Sequence, residues 1–174
     1  HNVIREGVTI HRGTVQDRGE TRIGSHNLVM AYVHIGHDCV IGDHVILVNN
    51  ASLAGHVVVD DWAFLSGYTL VHQWVNVGAH AFIGAAAYLN QDVPAYVMAA
   101  GHPAEPRTIN KVGLERRGFT AEQIKVVQDA YRTLYRRSLK LEEALAELEA
   151  DVLHRDLLAP LIGSIRRSKR GILR

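Results

Sequence analysis

Aliphatic side chains recur every six residues along much of this chain. Ile23, Val29, Ile35, Ile41, Leu47, Leu53, Val59, Leu65, Val71, Val77, Ile83 and Leu89 follow one another without a gap. The position after each favours a small residue, as at Gly24, Gly36, Gly42, Ala54, Ser66, Gly78 and Gly84. A second set, mostly small or β-branched, follows four residues after the aliphatic, from Val33 and Cys39 through Ala87 and Val93. A period of six fits neither an amphipathic helix nor an alternating strand. It fits a β-helix, in which each hexad is one short strand plus a corner and three hexads close a triangular coil. The aliphatic then fills the interior and the small residue shares it near the bend. Glycine after the aliphatic is expected to ease an unusual φ at the corner.

Residues 1–15 already keep this register, with Ile4 and Ile10 as aliphatics and Val8 and Thr14 in the second set. A solenoid that begins in mid-register points to earlier coils ahead of it, as in the C-terminal part of a longer protein. The charged stretch Gln16–Arg22 breaks the phase by an odd number of residues and reads as a loop thrown out from a corner. Such a loop is either a functional excursion or plain surface. Four coils between residues 23 and 94 predict a prism about 19 Å tall, from strands roughly 4.8 Å apart.

The register fades over residues 95–110, which carry Gly101, Pro103 and Pro106 and read as an exit linker. Helical grammar follows. Thr120-Ala-Glu-Gln123 has the form of a capping box, and Ile124, Val127, Tyr131, Leu134 and Tyr135 recur at helical spacing. Leu141, Leu145 and Leu148 form a second segment, and Leu157–Ile165 a third. The expected architecture is mainly β: a parallel β-helix domain over residues 1–100, then a linker and a small α-helical bundle over 101–174. Two to four helices are expected, covering the open end of the prism.

Composition narrows the function classes. Net charge is +1 over 174 residues, so no strong global field points to nucleic acid. Residues 1–100 hold four Lys/Arg against eight Asp/Glu, and the remainder holds fifteen against ten. A mildly acidic solenoid therefore carries a basic tail unit. Cys39 is the single cysteine and sits in an inward slot, which excludes an internal disulfide and suggests packing. Neither a signal peptide nor an apolar run of membrane-spanning length is evident, so a cytoplasmic protein without stable membrane insertion is expected.

Nine of the eleven histidines lie in the first hundred residues. In a regular prism each residue sits beneath the one eighteen further on. His37, just past the corner at Gly36, then lies under Gly55, and Asp38 lies under His56. These four form one patch. His34 and His72 occupy other hexad phases and reach that patch only across a subunit interface. One reading is general-base catalysis, with a neutral imidazole beside a carboxylate and a bare Gly55 N–H facing a developing oxyanion. A second is zinc held by His34, His37 and His56. A third is ordinary surface pairing. Arg116-Arg117 reads as a charge pair at the start of the helical unit or as an anion clamp. Arg166–Arg170 reads as a soluble tail or a docking patch for an acidic protein.

Several segments together carry a family resemblance. They are Ile10-His-Arg-Gly-Thr14, Ile23-Gly-Ser25, His34-Ile-Gly-His-Asp-Cys39, Asn49-Asn-Ala-Ser-Leu-Ala-Gly-His56, Val71-His-Gln73, Gln91-Asp-Val-Pro94, Gly113-Leu-Glu-Arg-Arg-Gly-Phe119 and Arg170-Gly-Ile-Leu-Arg174. The chain resembles, over essentially its whole length, the acyl-carrier-protein–UDP-N-acetylglucosamine O-acyltransferases of lipid A synthesis. The resemblance implies a left-handed parallel β-helix, a homotrimer and active sites between neighbouring prisms. It implies transfer of a (3R)-hydroxyacyl group from acyl carrier protein to the 3-hydroxyl of UDP-N-acetylglucosamine. His37 matches the general base, Asp38 the residue that orients it, and Gly55 the oxyanion donor. His34, His56, His72 and Gln73 match cleft-lining positions, and Asn110, Arg116 and Arg117 match nucleotide- or donor-contacting ones. Neither metal nor resident cofactor is implied. Ala85-Ala86-Ala87-Tyr88 replaces a run richer in Gly in relatives, so Ala85 and Tyr88 are expected to shape the acyl-chain pocket. Gly101-His102-Pro103-Ala104 also departs from the family pattern. The sister N-acyltransferase of the same pathway and a zinc enzyme of the carbonic-anhydrase type are the alternatives.

Overall fold

A computed structural model describes residues 1–174. Fourteen two-residue strands come first: β1 (Val3–Ile4), β2 (Thr9–Ile10), β3 (Arg22–Ile23), β4 (Leu28–Val29), β5 (His34–Ile35), β6 (Val40–Ile41), β7 (Ile46–Leu47), β8 (Ser52–Leu53), β9 (Val58–Val59), β10 (Phe64–Leu65), β11 (Leu70–Val71), β12 (Asn76–Val77), β13 (Phe82–Ile83) and β14 (Tyr88–Leu89). Every third strand joins the same sheet, which gives the three faces of a prism. One face runs β14-β11-β8-β5-β2, another β12-β9-β6-β3, and the third starts β1-β4-β7-β10-β13. Neighbours are parallel, with Ile35 beside Leu53 and Leu53 beside Val71.

The second residue of each of these strands from β4 on is buried, and so is the small or β-branched residue four further on. Each fully buried aliphatic removes apolar surface worth about 1.5–3 kcal/mol, so the six-residue repeat is the folding code of this half. At the lower end the pairing offset changes. Ile4 lies beside Val29 and Ile10 beside Ile35, whereas Ile23 lies beside Ile41. The difference is the seven-residue stretch Gln16–Arg22, which leaves the prism at one corner as expected.

The corners work differently from the sequence expectation. Glycine after the aliphatic does not take the left-handed conformation. That conformation falls two residues later, on His26, Tyr32, Asp38, His44, Asn50, His56, Trp62, Tyr68, Trp74, His80 and Ala86, all with φ between 55 and 69°. Non-glycine residues rarely hold such angles, though Asn, Asp and His do so more readily than most. Glycine is needed because the next coil passes too close. A Cβ on Gly36 would sit 2.7 Å from the Ala54 carbonyl carbon, and one on Gly78 would sit 2.4 Å from the Ala95 nitrogen.

Because the left-handed residues repeat with the coil, their side chains stack. On the corner between the four- and seven-stranded faces the rings of His26, His44, Trp62, His80 and Tyr96 form a ladder, closest between His44 and Trp62 at 3.9 Å. On the corner between the five- and four-stranded faces His56 stacks on Trp74 at 3.7 Å.

The stretch read as a linker is a β-hairpin. β15 (Val97–Gly101) and β16 (Ala104–Ile109) pair antiparallel and extend the seven-stranded face. The last coil is two residues short, so that Val77 pairs Val93 and Ile83 pairs Ala99.

Four helices follow: α1 (Lys111–Arg116), α2 (Ala121–Arg136), α3 (Leu141–Ala150) and α4 (Arg155–Arg166). The capping box at Thr120 and Gln123 forms as read, and Ile124, Val127, Tyr131 and Leu134 bury one face of α2. Arg116 and Arg117 lie at the end of α1 rather than at the start of the helical unit, where cations suit the helix dipole. α4 is tied to the prism by Tyr96 Oη donating to the Leu157 carbonyl and by the Ala95 N–H donating to Ser164 Oγ. The C-terminal segment returns to the prism: the Asp92 N–H donates to Gly171 O, the Leu173 N–H donates to Asp92 O, and Ile172 and Leu173 are buried. Two motif segments far apart in sequence, Gln91–Pro94 and Arg170–Arg174, thus meet. Part of the basic cluster read as a free tail is paired, Arg166 with Glu142 and Glu149 and Arg167 with Asp60. No helix is long and apolar enough to cross a membrane.

Candidate active site

His37, Asp38, Gly55 and His56 come together on the corner between the five- and four-stranded faces, as the coil register requires. Asp38 is fully buried while the His37 side chain is 36% exposed. Asp38 Oδ2 accepts from His37 Nδ1 at 2.9 Å. Its carboxylate also accepts from the Thr14 N–H at 3.0 Å and from Thr14 Oγ1 at 2.8 Å. Burial alone would push this carboxyl up, but the hydrogen bonds from His37 and Thr14 outweigh it and hold it down at about 2. An ionised carboxylate can only accept, so the proton of a neutral His37 sits on Nδ1. Nε2 is left with its lone pair and has no partner within the chain.

Gly55 is what keeps that lone pair reachable. A Cβ at this position would fall 2.5 Å from His37 Cε1 and 2.6 Å from Nε2. The space beside Gly55 is therefore filled by the imidazole itself. The Gly55 N–H donates to nothing in the chain and lies at the same edge. The coil register puts Gln73 over Gly55 and His72 over Ala54, so His72 adjoins the patch within one chain, contrary to the expectation from its hexad phase. His72 Nδ1 meets the Gln73 carbonyl at 3.0 Å.

His34 is separate. It stands on the outer side of the five-stranded face, 2.8 Å from Thr9 Oγ1 and edge-on to His11. Burial and the neighbouring His11 lower its pKa. The zinc trio considered from sequence does not assemble in one chain. The ligand-type atoms that do gather, within 4.8 Å of one another, belong to His37, Asp38 and His56, and the Asp38 carboxylate is already taken by Thr14 and His37.

The extruded loop was the part of the site that periodicity could not place. Thr14 and Thr21 at its two ends bracket Asp38, with the Asp38 N–H donating to Thr21 Oγ1 at 3.0 Å. Its Asp17 reaches His56, with Oδ2 2.6 Å from Nδ1. Arg12, Thr14, Gln16 and His37 line an open cleft of about 740 Å³.

Asn110, Arg116 and Arg117 lie elsewhere, on the corner that carries the His44–Trp62–His80 ladder, around a pocket of about 400 Å³ that also includes Phe64. Asn110 is committed to structure: it caps α1 by accepting from the Gly113 N–H and donates to the His80 carbonyl. Arg117 donates to the Trp62 carbonyl at 2.8 Å and lies over the indole. Burial and the Arg117 charge push His80 down to about 4, leaving it a neutral rung. Arg116 is exposed and has no partner in the chain. Ala85 is exposed on a third corner, and the Tyr88 ring stacks on His102 at 5.2 Å where the five-stranded face ends. Cys39 is buried, its thiol pushed up to about 11 by burial, consistent with packing.

Hexapeptide coils with a His–Asp pair on an outer corner define the class, a hexapeptide-repeat transferase. Residues 20–55 match the profile described as bacterial transferase hexapeptide (six repeats), and residues 92–173 match that described as Udp N-acetylglucosamine O-acyltransferase, domain 2. An acyl-[acyl-carrier-protein]–UDP-N-acetylglucosamine O-acyltransferase of Pseudomonas syringae is 58% identical over all 174 residues, which cover 67% of that relative. The solved UDP-N-acetylglucosamine acyltransferase of Francisella novicida superposes with a TM-score of 0.97 at 46% identity, over 99% of this chain and 63% of that one. The enzyme of Moraxella catarrhalis gives 0.95 at 46% identity, over 100% and 68%. This chain belongs to the UDP-N-acetylglucosamine O-acyltransferase family and spans about two thirds of the length of the relatives it matches.

Proposed function

We propose that this chain transfers a (3R)-hydroxyacyl group from the thioester of an acyl carrier protein to the 3-hydroxyl of UDP-N-acetylglucosamine, the opening step of lipid A synthesis, in the cytoplasm. The observation that carries the reading is His37, with Nδ1 held by a buried carboxylate and Nε2 kept open by Gly55. In this scheme Nε2 takes the proton of the sugar hydroxyl as its oxygen attacks the thioester carbon. The Gly55 N–H receives the oxyanion of the tetrahedral intermediate. Collapse expels the thiolate, which recovers the proton from the imidazolium and leaves as a thiol. Asp38 stabilises the imidazolium while it exists. The scheme uses neither a metal nor a resident cofactor.

The remaining residues suit substrate binding between subunits of a homotrimer. His56, His72 and Gln73 share the His37 corner, and His34 stands on the adjoining face. Arg116, unpaired and exposed, suits a diphosphate, with Asn110 and Arg117 shaping its surroundings. Because these two groups occupy different corners of one prism, a site using both takes them from neighbouring subunits. Exposed Tyr32, Tyr68, Leu70 and Trp74 offer apolar surface for such contact. Ala85 and Tyr88 bound the acyl chain in this reading.

The test supplies purified protein with (3R)-hydroxyacyl carrier proteins of several lengths and two acceptors, UDP-N-acetylglucosamine and O-acylated UDP-glucosamine, with products identified by mass spectrometry. Product on the first acceptor is expected. Product only on the second makes the chain an N-acyltransferase, and product on neither overturns the reading. Sedimentation of the same preparation at the mass of three chains is expected.

A further inference from the structure

The loop that interrupts the six-residue repeat is tied into the site at two points. Thr14, where it departs, gives both its N–H and its hydroxyl to Asp38. The Thr14 carbonyl in turn accepts the N–H of Asp17 at 3.3 Å and that of Gly19 at 3.0 Å, so a tight turn stands directly on the residue that holds the dyad. Gly13 lets the returning strand close against it, since a Cβ there would lie 1.9 Å from the Glu20 nitrogen. The turn aims Asp17 inward. Its Oδ2 lies 2.6 Å from His56 Nδ1, and His56 is 9% exposed, held between the face of Trp74 at 3.7 Å and the edge-on ring of His37 at 4.9 Å.

We propose that Asp17 is a positioning residue that acts through His56. The carboxylate can only accept, so it holds an N–H of His56 on Nδ1 and turns Nε2 away from the loop. No group in the chain bonds to His56 Nε2, which is therefore left for a polar group of the substrate, such as a sugar hydroxyl or amide. Trp74 fixes the plane of the ring and Asp17 fixes its rotation and tautomer. The loop is thus a strap with two ends, Thr14 on Asp38 and Asp17 on His56, which sets the two histidines relative to each other. The substrate part of this inference rests on the acyl-transfer reading, whereas the tautomer part does not.

The experiment compares wild type with Asp17→Ala and Asp17→Asn, using ¹⁵N-histidine labelling to read the His56 ring tautomer and steady-state kinetics on UDP-N-acetylglucosamine. Wild type is expected to show Nδ1-protonated His56. Asp17→Ala is expected to lose that preference and to drop kcat/KM by about 10- to 100-fold, the scale of a misplaced contact group, with an unchanged fold by circular dichroism. Asp17→Asn, which still presents an acceptor oxygen, is expected to restore the tautomer and most of the activity. A His56 spectrum that is the same in wild type and Asp17→Ala overturns the proposal, as does an Asp17→Asn protein as impaired as Asp17→Ala. If wild type transfers no acyl group, the functional reading fails, and the tautomer comparison still decides the role of Asp17.

Discussion

At the scale of single residues the site depends on one missing side chain and one buried charge. Gly55→Ala drives a methyl group into the His37 ring, 2.6 Å from Nε2. A loss of activity approaching that of His37→Ala is expected, with some destabilisation on thermal melting. His37→Ala itself is expected to lower turnover by about two to four orders of magnitude while the melting curve stays close to wild type, because the ring is partly exposed. Near-normal turnover in that variant would rule out the proposed base. Asp38 predicts a pH effect. Its pKa in the folded chain, about 2, lies below the ordinary 3.8, so it contributes stability that is complete above the ordinary value and is lost as pH falls through about 2. The gap in melting temperature between wild type and Asp38→Asn is expected to shrink over that window. Of this site, the register made His37, Asp38, Gly55 and His56 legible as one patch, since they sit on a strict lattice. Thr14 and Asp17 were not legible as partners, because the loop that carries them has no period to read.

At the scale of the element, the six-residue repeat reported the core faithfully and the corner poorly. Aliphatic spacing depends on burial, which sequence shows directly. The left-handed φ falls on His, Trp, Tyr, Asn and Asp, which do not advertise it as glycine does. Ala86 holds φ 55° on an exposed corner. Ala86→Gly removes strain of roughly 1–2 kcal/mol against an unfolded-state entropy cost of about 0.4–1 kcal/mol. A small rise in melting temperature is expected, and a fall would show that the corner is unstrained. The β-hairpin was read as a linker because three coincident signals, Gly101, Pro103 and Pro106, usually mark loops, and because dropping two residues from the last coil erases the period before the strands begin. The helical half was easier: the capping box and apolar spacing name the start and buried face of α2.

At the scale of the whole molecule, the helical unit is fastened to the prism by both half-buried and buried attachments. Arg117 spans the two, binding the Trp62 carbonyl from beside α1. Arg117→Ala is expected to cost about 2 kcal/mol, the range for a hydrogen bond to a charged group, and to lower the melting temperature by about 4–8 °C. Leu173, 3% exposed where the C-terminal segment returns to Asp92, is expected to cost about 2–5 kcal/mol on replacement by alanine. A loss under 1 kcal/mol in urea unfolding would show that this clip is incidental. Neither attachment was visible in sequence, since each joins segments more than fifty residues apart.

The coil makes distance along the prism axis a counted quantity. Residues eighteen apart share a face and a corner, so gaining or losing one whole coil shifts everything beyond it by about 4.8 Å while its facing is kept. Any other change in length rotates the following groups onto a different face unless a corner absorbs it, as happens with the seven residues Gln16–Arg22 and with the two-residue shortfall of the last coil. The separation between the His37 corner and the Tyr88–His102 end can therefore be edited only in whole steps of that size. Between steps, side-chain bulk at the last coil is the remaining means of adjustment. A spacer of this kind resists gradual drift, because a shorter insertion either loops out at a corner and leaves the spacing unchanged, as Gln16–Arg22 does, or breaks the register, whereas a full coil leaves both ends intact.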